Sequence, residues 1–272
     1  MSFSAYETSI DQGEPILLFA FSVGATRFLY TTADRPITWN GETYDSVPIS
    51  RSSVRQTQEV RQQLLRVTGP RDISIASVYE QEPPTIPVAL TITMFHYTDS
   101  AAQGVVDWVG RVTSVKWRQS NIEFQCEPVY ASVQTAGLRR TYQIGCSHVL
   151  YGNGCGLAKS NFAYPGSVQS VSGFSITSSA WATLPSGLSF YGGFVQWQSA
   201  QGYQESRTIA SVSGSTLTLD NAFSDIVVGT QVIAYPGCAR TTQSCQAFGN
   251  ILNFGGMPYI PTVNPFNGNP VY

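Results

Sequence analysis

At 272 residues the chain is long enough for one large or two medium domains, each with its own core. Charged residues make up 12%, about half the usual share, aromatics also reach 12%, and the net charge is −2. No basic run occurs, which argues against a nucleic-acid groove; the balance fits a β-rich protein with a polar, weakly charged surface suited to assembly with other chains.

Residues 1–13 carry neither a basic start nor an apolar core, so synthesis and folding in a cytosol are expected. In that compartment thiols stay reduced, and paired cysteines read as metal ligands or redox groups rather than disulfides. ILLFAF at 16–21 is too short to span a bilayer and reads as a buried strand. PILLFAFSVG and TRFLYTT form a hairpin signal around Gly24. Asn40-Gly41 then marks a second tight turn between ITW and TYDSVPI, because both central residues of a type I′ turn need positive φ. VRQQLLRVTG reads as a strand, with helix the competing reading, and ISIASVYEQ as a short helix. TITMFHYT, VTSVKW and IEFQCEP follow as strands, the last two alternating in period two. Residues 1–135 thus read as one antiparallel β domain.

From Gly166 the pattern restarts. GSVQSVSGFSITSS and the stretch 192–223 repeat a strand, Ser-Gly turn, strand device, and QVIAYPGC closes it, which describes a small β-barrel at 166–236. A Cys/Gly-rich linker at 136–165 precedes it. A tail at 237–272, rich in Asn, Gly, Pro and aromatics, follows with little regular structure expected beyond Cys245.

Four of the five cysteines fall in two loop-borne pairs flanking that barrel, Cys146 with Cys155 and Cys238 with Cys245. Zinc knuckles hold their cysteines about two to four residues apart. Here eight residues separate the first pair and six the second, which suits loops wrapping a larger object such as an iron–sulfur cluster. On spacing alone, a shared metal site and unrelated free thiols stand level. Gly145, Gly152, Gly154, Gly156 and Gly237 would let backbone amides approach sulfur. His148 reads as a hydrogen-bonded loop residue, with ligation the lesser alternative, and Arg139 and Arg140 as either charge compensation for thiolates or plain surface residues. Cys126, in the alternating IEFQCEP, reads as a small core residue. No nucleophile elbow, zinc-protease helix or phosphate loop is present, and the scattered aspartates sit at turns. No catalytic residue is assigned and no enzyme is expected.

ADRPITWNGETYDSVPISRSSV, the CEP at 126–128, GLRRTYQIGCSHVLYGNGCGLAKSNF and PGCARTTQSCQAFGNILNFGGMPYIP together resemble the BR0599-type (DUF2163-like) phage tail proteins. These are similar in role to minor tail protein L of lambda-like phages and to gene transfer agent hub proteins. The resemblance implies a mainly β tail-tip or baseplate hub subunit, synthesised in the bacterial host cytoplasm and residing in the virion. It implies a homotrimeric ring that terminates the tail tube, with the distal tail, tape measure and central tail-tip or fibre proteins as partners. It also implies a [4Fe–4S] cluster on Cys146, Cys155, Cys238 and Cys245, zinc being the alternative metal. Sequence-specific nucleic-acid binding and a membrane span are not expected. A receptor-binding module, and less readily a redox or cell-wall-degrading enzyme, are the rival readings.

Overall fold

A computed structural model describes residues 3–11, 13–54, 64–80, 82–99, 103–134, 137 and 141–261. The chain divides into two units, Met1–Thr135 with Gln198–Gln204, and Ala136–Trp197 with Glu205–Tyr272. Residues 60–63 of VRQQLLRVTG, and Arg139 and Arg140, lie outside the described residues.

Unit 1 opens with a short helix α1 (Phe3–Glu7), followed by β1 (Pro15–Val23), β2 (Thr26–Thr31), β3 (Ile37–Trp39), β4 (Glu42–Ser46) and β5 (Ser50–Arg51). β6 (Leu65–Pro70), β7 (Ala89–His96), β8 (Gly104–Trp117) and β9 (Asn121–Pro128) complete one nine-stranded sheet in the order β3-β4-β2-β1-β7-β8-β9-β6-β5. β1 shows why its sequence is apolar almost throughout. Phe19, Phe21 and Val23 point to one face and join the main core, while Leu18 joins a second cluster with Ile37, Tyr44 and Phe95. A strand buried on both faces has no reason to alternate. β9 does alternate, and Ile122, Phe124 and Cys126 all reach the main core with no exposed surface.

Turn chemistry sets the registers. β1 and β2 pair from Val23↔Thr26 outward across a two-residue turn in which Gly24 has φ 58°. Asn40 and Gly41 have φ 50° and 80° between Trp39 and Glu42, the positive pair that a type I′ turn demands. The domain is not antiparallel throughout, however: β2 and β4 run parallel. The hairpin β3–β4 turns back so that β4, not β3, lies beside β2, and β3 serves as the connection that parallel neighbours require. ISIASVYEQ forms a 3₁₀ helix over Ser74–Tyr79, with Ile75, Ala76 and Val78 buried against the main core. The segment 198–204 supplies this core with Tyr203, a contribution that the reading of 166–236 as one block does not anticipate.

Unit 2 contains β10 (Tyr164–Ser167), β11 (Ser170–Ser172), β12 (Ser175–Thr177), β13 (Ser189–Gln198), β14 (Gln204–Ser213), β15 (Thr216–Leu219) and β16 (Gln231–Gly237). They form a seven-stranded sheet in the order β10-β16-β13-β14-β15-β12-β11. Residues from both edges and the middle meet in one cluster, among them Val171, Ile176, Val195, Ile209, Leu217 and Val232. A sheet whose first and last strands share one core is curled, and the result is a half-barrel. The expected Ser-Gly turns appear at Gly173 and Gly214, with φ 59° and 58°. The chain is therefore mainly β, as the strand pattern predicts. One regular element in the closing segment escapes that reading: helix α2 spans Thr242–Ala247 and carries Cys245.

Candidate four-cysteine site

All four paired cysteines belong to unit 2, and none is in a disulfide. Cys146 and Cys155 lie on the segment 141–158, after β9 and before β10, which has no strand of its own. Tight turns shape it: the Gly152 amide donates to Val149 O at 3.0 Å, the Cys155 amide to Gly152 O at 3.0 Å, and the Gly156 amide to Gly152 O at 2.9 Å. Tyr151 sits at φ 59°, a conformation costly for an aromatic residue, and its hydroxyl donates to Pro236 O at 3.0 Å.

Cys238 follows β16 directly. Cys245 is placed by α2, whose N-terminus is capped by Thr241; its Oγ1 accepts the Ser244 amide at 3.2 Å. The loop and the closing segment are joined along their length. The Cys146 amide donates to Arg240 O at 2.9 Å, the Met257 amide to Gln143 O at 2.9 Å, and Ser147 Oγ to Gly255 O at 3.3 Å. Gly256 passes so close to Ile144 and Gly145 that an added Cβ would stand 2.4 Å from Ile144 O.

Together these contacts bring the four predicted cysteines around one cavity of about 120 Å³, which His148 and Asn253 also line. An engineered apolar cavity of about 150 Å³ accepts benzene, so this space admits a compact polyatomic body rather than only a bare ion. Cys155 and Cys245 are buried, whereas Cys146 and Cys238 are half-buried. Burial, and then the neighbouring Cys238, Cys146 and Cys155, raise the Cys245 thiol above its ordinary value. Burial is also the chief cause raising Tyr151, with Cys155 the next contributor.

Donors converge on three of the sulfurs. The Gly255 amide lies 3.3 Å from Cys146 Sγ, the Arg240 amide 3.4 Å and Ser244 Oγ 3.5 Å from Cys238 Sγ, and Asn250 Nδ2 3.5 Å from Cys155 Sγ. Such donors stabilise sulfur that carries negative charge, as in a thiolate bound to a metal or cluster. Four thiols lining one cavity, with donors near three of them, are a donor set that suits thiolate ligation. Among the described residues, no three His, Cys, Asp or Glu side chains are grouped to hold a metal ion.

Two of the glycines expected to offer amides to sulfur use them within the loop instead. The Gly152 and Gly156 amides donate to carbonyls. The backbones of Gly154 and Gly255 flank the His148 ring, where a Cβ would stand 2.9 and 2.6 Å from ring atoms. Gly237 meets Gly192 and Gly193 where β13 and β16 cross closely. The amides that do reach sulfur, from Arg240 and Gly255, carried no local signal. His148 is a bridging residue, its Nδ1 donating to Asn253 O at 3.1 Å. His96, without an acidic neighbour in sequence, meets Glu7 of α1, with Nε2 2.8 Å from Oε1.

The family described as "Baseplate hub protein, N-terminal attachment domain" matches residues 22–158, and the family "Phage conserved hypothetical protein BR0599" matches 188–264. The chain belongs to the phage baseplate hub family. An uncharacterized protein of Xylella fastidiosa (strain 9a5c) is 26% identical over 164 residues, 57% of this chain. The match spans only 34% of that relative's length. The fold is that of a chain in the "Virion of native gene transfer agent (GTA) particle", with TM-score 0.79 and 18% identity over 99% of this chain and 95% of that one. The protein is a structural subunit of a phage tail and resides in the virion tail. Among the described residues no helix is long and apolar enough to cross a membrane.

Proposed function

We propose that this subunit ends the tail tube as part of a trimeric ring, and that Cys146, Cys155, Cys238 and Cys245 hold a [4Fe–4S] cluster that locks unit 2. The observation that carries the cluster is the convergence of four sulfurs, from segments far apart in sequence, around one cavity with donors aimed at three of them. The eight and six residues between the paired cysteines favour a cluster over a zinc knuckle, whose cysteines stand about two to four residues apart. A bound cluster supplies four iron–thiolate bonds and no catalytic step is required of it. The chain's own residues do the rest: Arg240 and Gly255 present amides to sulfur, Thr241 fixes the helix that carries Cys245, and Asn250 closes the inner side. A structural metal contributes roughly 10 kcal/mol or more to the folding of zinc-finger peptides; here it would add to the hydrogen bonds that already join the first cysteine loop to the closing segment.

The ring reading rests on membership of the hub family and on the weakly charged surface. The distal tail, tape measure and central tail-tip or fibre proteins are the neighbours it implies. The test is iron and acid-labile sulfide analysis of the full chain prepared without oxygen, alongside Cys155→Ser and Cys238→Ser. Both variants lose the iron and both fail to assemble into particles. Full iron content in either one overturns the shared site. Sedimentation of the wild-type chain reads the ring directly, a trimer being the expected species and a strictly monomeric one refuting it.

A further inference from the structure

Asn250 lies between α2 and the 3₁₀ turn Ile251–Asn253, and it is 8% exposed. Every polar group it owns is engaged. Its amide N–H donates to Cys245 O at 3.0 Å, and its carbonyl accepts from Cys245 Sγ at 3.1 Å and from the Asn253 amide at 3.0 Å. Its Nδ2 donates to Cys155 O at 2.6 Å and lies 3.5 Å from Cys155 Sγ. Its Oδ1 accepts from Asn253 Nδ2 at 2.7 Å. The network settles which way the amide points, because exchanging oxygen and nitrogen would set Oδ1 against Cys155 O and two donors against each other at Asn253. Asn253 in turn accepts from His148 on the first cysteine loop. One buried residue therefore ties the inner cysteine of the first pair to that of the second, through its side chain to Cys155 and its main chain to Cys245.

We infer that Asn250 is the positioning residue of the four-cysteine site: it sets the spacing of Cys155 and Cys245 and supplies a hydrogen-bond donor to the Cys155 sulfur. The inference rests on the proposed reading of the site as a metal centre. A ligating thiolate at Cys245 cannot donate to the Asn250 carbonyl. The main-chain bond from Asn250 N–H to Cys245 O then keeps the residue in place. The side-chain amide, with two donors, serves the Cys155 carbonyl and sulfur at once. An aspartate of the same shape would turn an acceptor oxygen, in place of Nδ2, toward both a carbonyl and a sulfur, so it reverses the interaction rather than merely deleting it.

The test uses the full chain, reduced and stripped of metal, and measures alkylation by iodoacetamide at each cysteine by peptide mass spectrometry. In the wild type the half-buried Cys146 and Cys238 react faster than Cys155 and Cys245. In Asn250→Asp and Asn250→Ala, Cys155 reacts about tenfold faster and Cys245 rises in the same direction, while Cys146 and Cys238 keep their rates. An equal rise at all four cysteines, which general loosening produces, overturns the inference, as does no change. The same proteins are then treated with ferrous iron and sulfide. The Asn250→Ala cluster shows a lower reduction potential, because a donor to sulfur favours the more negative reduced state. Selective alkylation with no iron uptake by the wild type upholds the positioning role and defeats the cluster. Iron uptake with unchanged alkylation and potential in the variants upholds the cluster and defeats the positioning role.

Discussion

Cys126 and Cys245 are the same residue type put to different uses by their surroundings. Cys126 has no exposed surface and belongs to the core cluster of Phe124, Ile122 and Val67; burial pushes its thiol up to about 12 from 9.0. A group that holds its proton more tightly folded than unfolded stabilises the fold fully below the unfolded value, and that contribution is lost as pH rises through the folded one. Burial raises Tyr79, packed on the same core, in the same sense. Unit 1 therefore loses stability from pH 9.0 upward toward 12. Urea unfolding followed from about pH 8 to about pH 11 shows the decline, and Cys126→Val makes it shallower. An unaltered slope in that variant assigns the effect to the tyrosines instead. IEFQCEP announced this residue through its alternation, since a period of two sends Ile122, Phe124 and Cys126 to one face. Asn250 had no comparable sign, because the Cys155 contact of its side chain is set by the approach of a loop ninety-five positions earlier in the chain.

Two short elements carry most of the positioning at the next scale. The Asn40-Gly41 turn holds β3 against β4 and lets β4 slide in beside β2, a parallel placement that no local pattern specifies. Helix α2 is only six residues long, too short to persist in isolation, so its cap and its packing matter more than its propensity. Thr241→Ala removes the side-chain acceptor for the Ser244 amide and costs about 1 kcal/mol of local stability. The loss reads out as faster hydrogen exchange at the Cys245 and Phe248 amides and faster alkylation of Cys245 in the metal-free chain. Unchanged exchange there would mean that tertiary contacts alone hold the helix. The Thr-Thr-Gln-Ser sequence before Cys245 contains the N-cap signal, and a reading for caps as well as for strands finds this helix.

Over the whole molecule, unit 1 is assembled from chain segments separated by more than sixty residues, since Gln198–Gln204 joins Met1–Thr135. Tyr203 is 6% exposed and belongs to the main core of that unit. Tyr203→Ala, by analogy with other buried aromatic truncations, costs about 3 kcal/mol or more. Hydrogen exchange of β1, β7 and β9 rises in that variant although the substitution lies well outside 1–135. Retention of wild-type protection in those strands would show that the segment is dispensable to the core. A β-rich unit completed by so distant a segment has high contact order, and slow folding follows from the loop closure it demands.

Local order in the chain settled the class: mostly strands, turns at Asn-Gly and Ser-Gly, two cysteine pairs set apart by a second β segment, and motifs that pointed to a tail-tip family. Each of these depends on residues within a few positions of one another, where backbone sterics and side-chain periodicity act directly. Packing alone decided which strands are neighbours, that 198–204 serves the first unit, and which amides meet which sulfurs. Those outcomes turn on contacts between segments tens of residues apart, and no short-range preference encodes them.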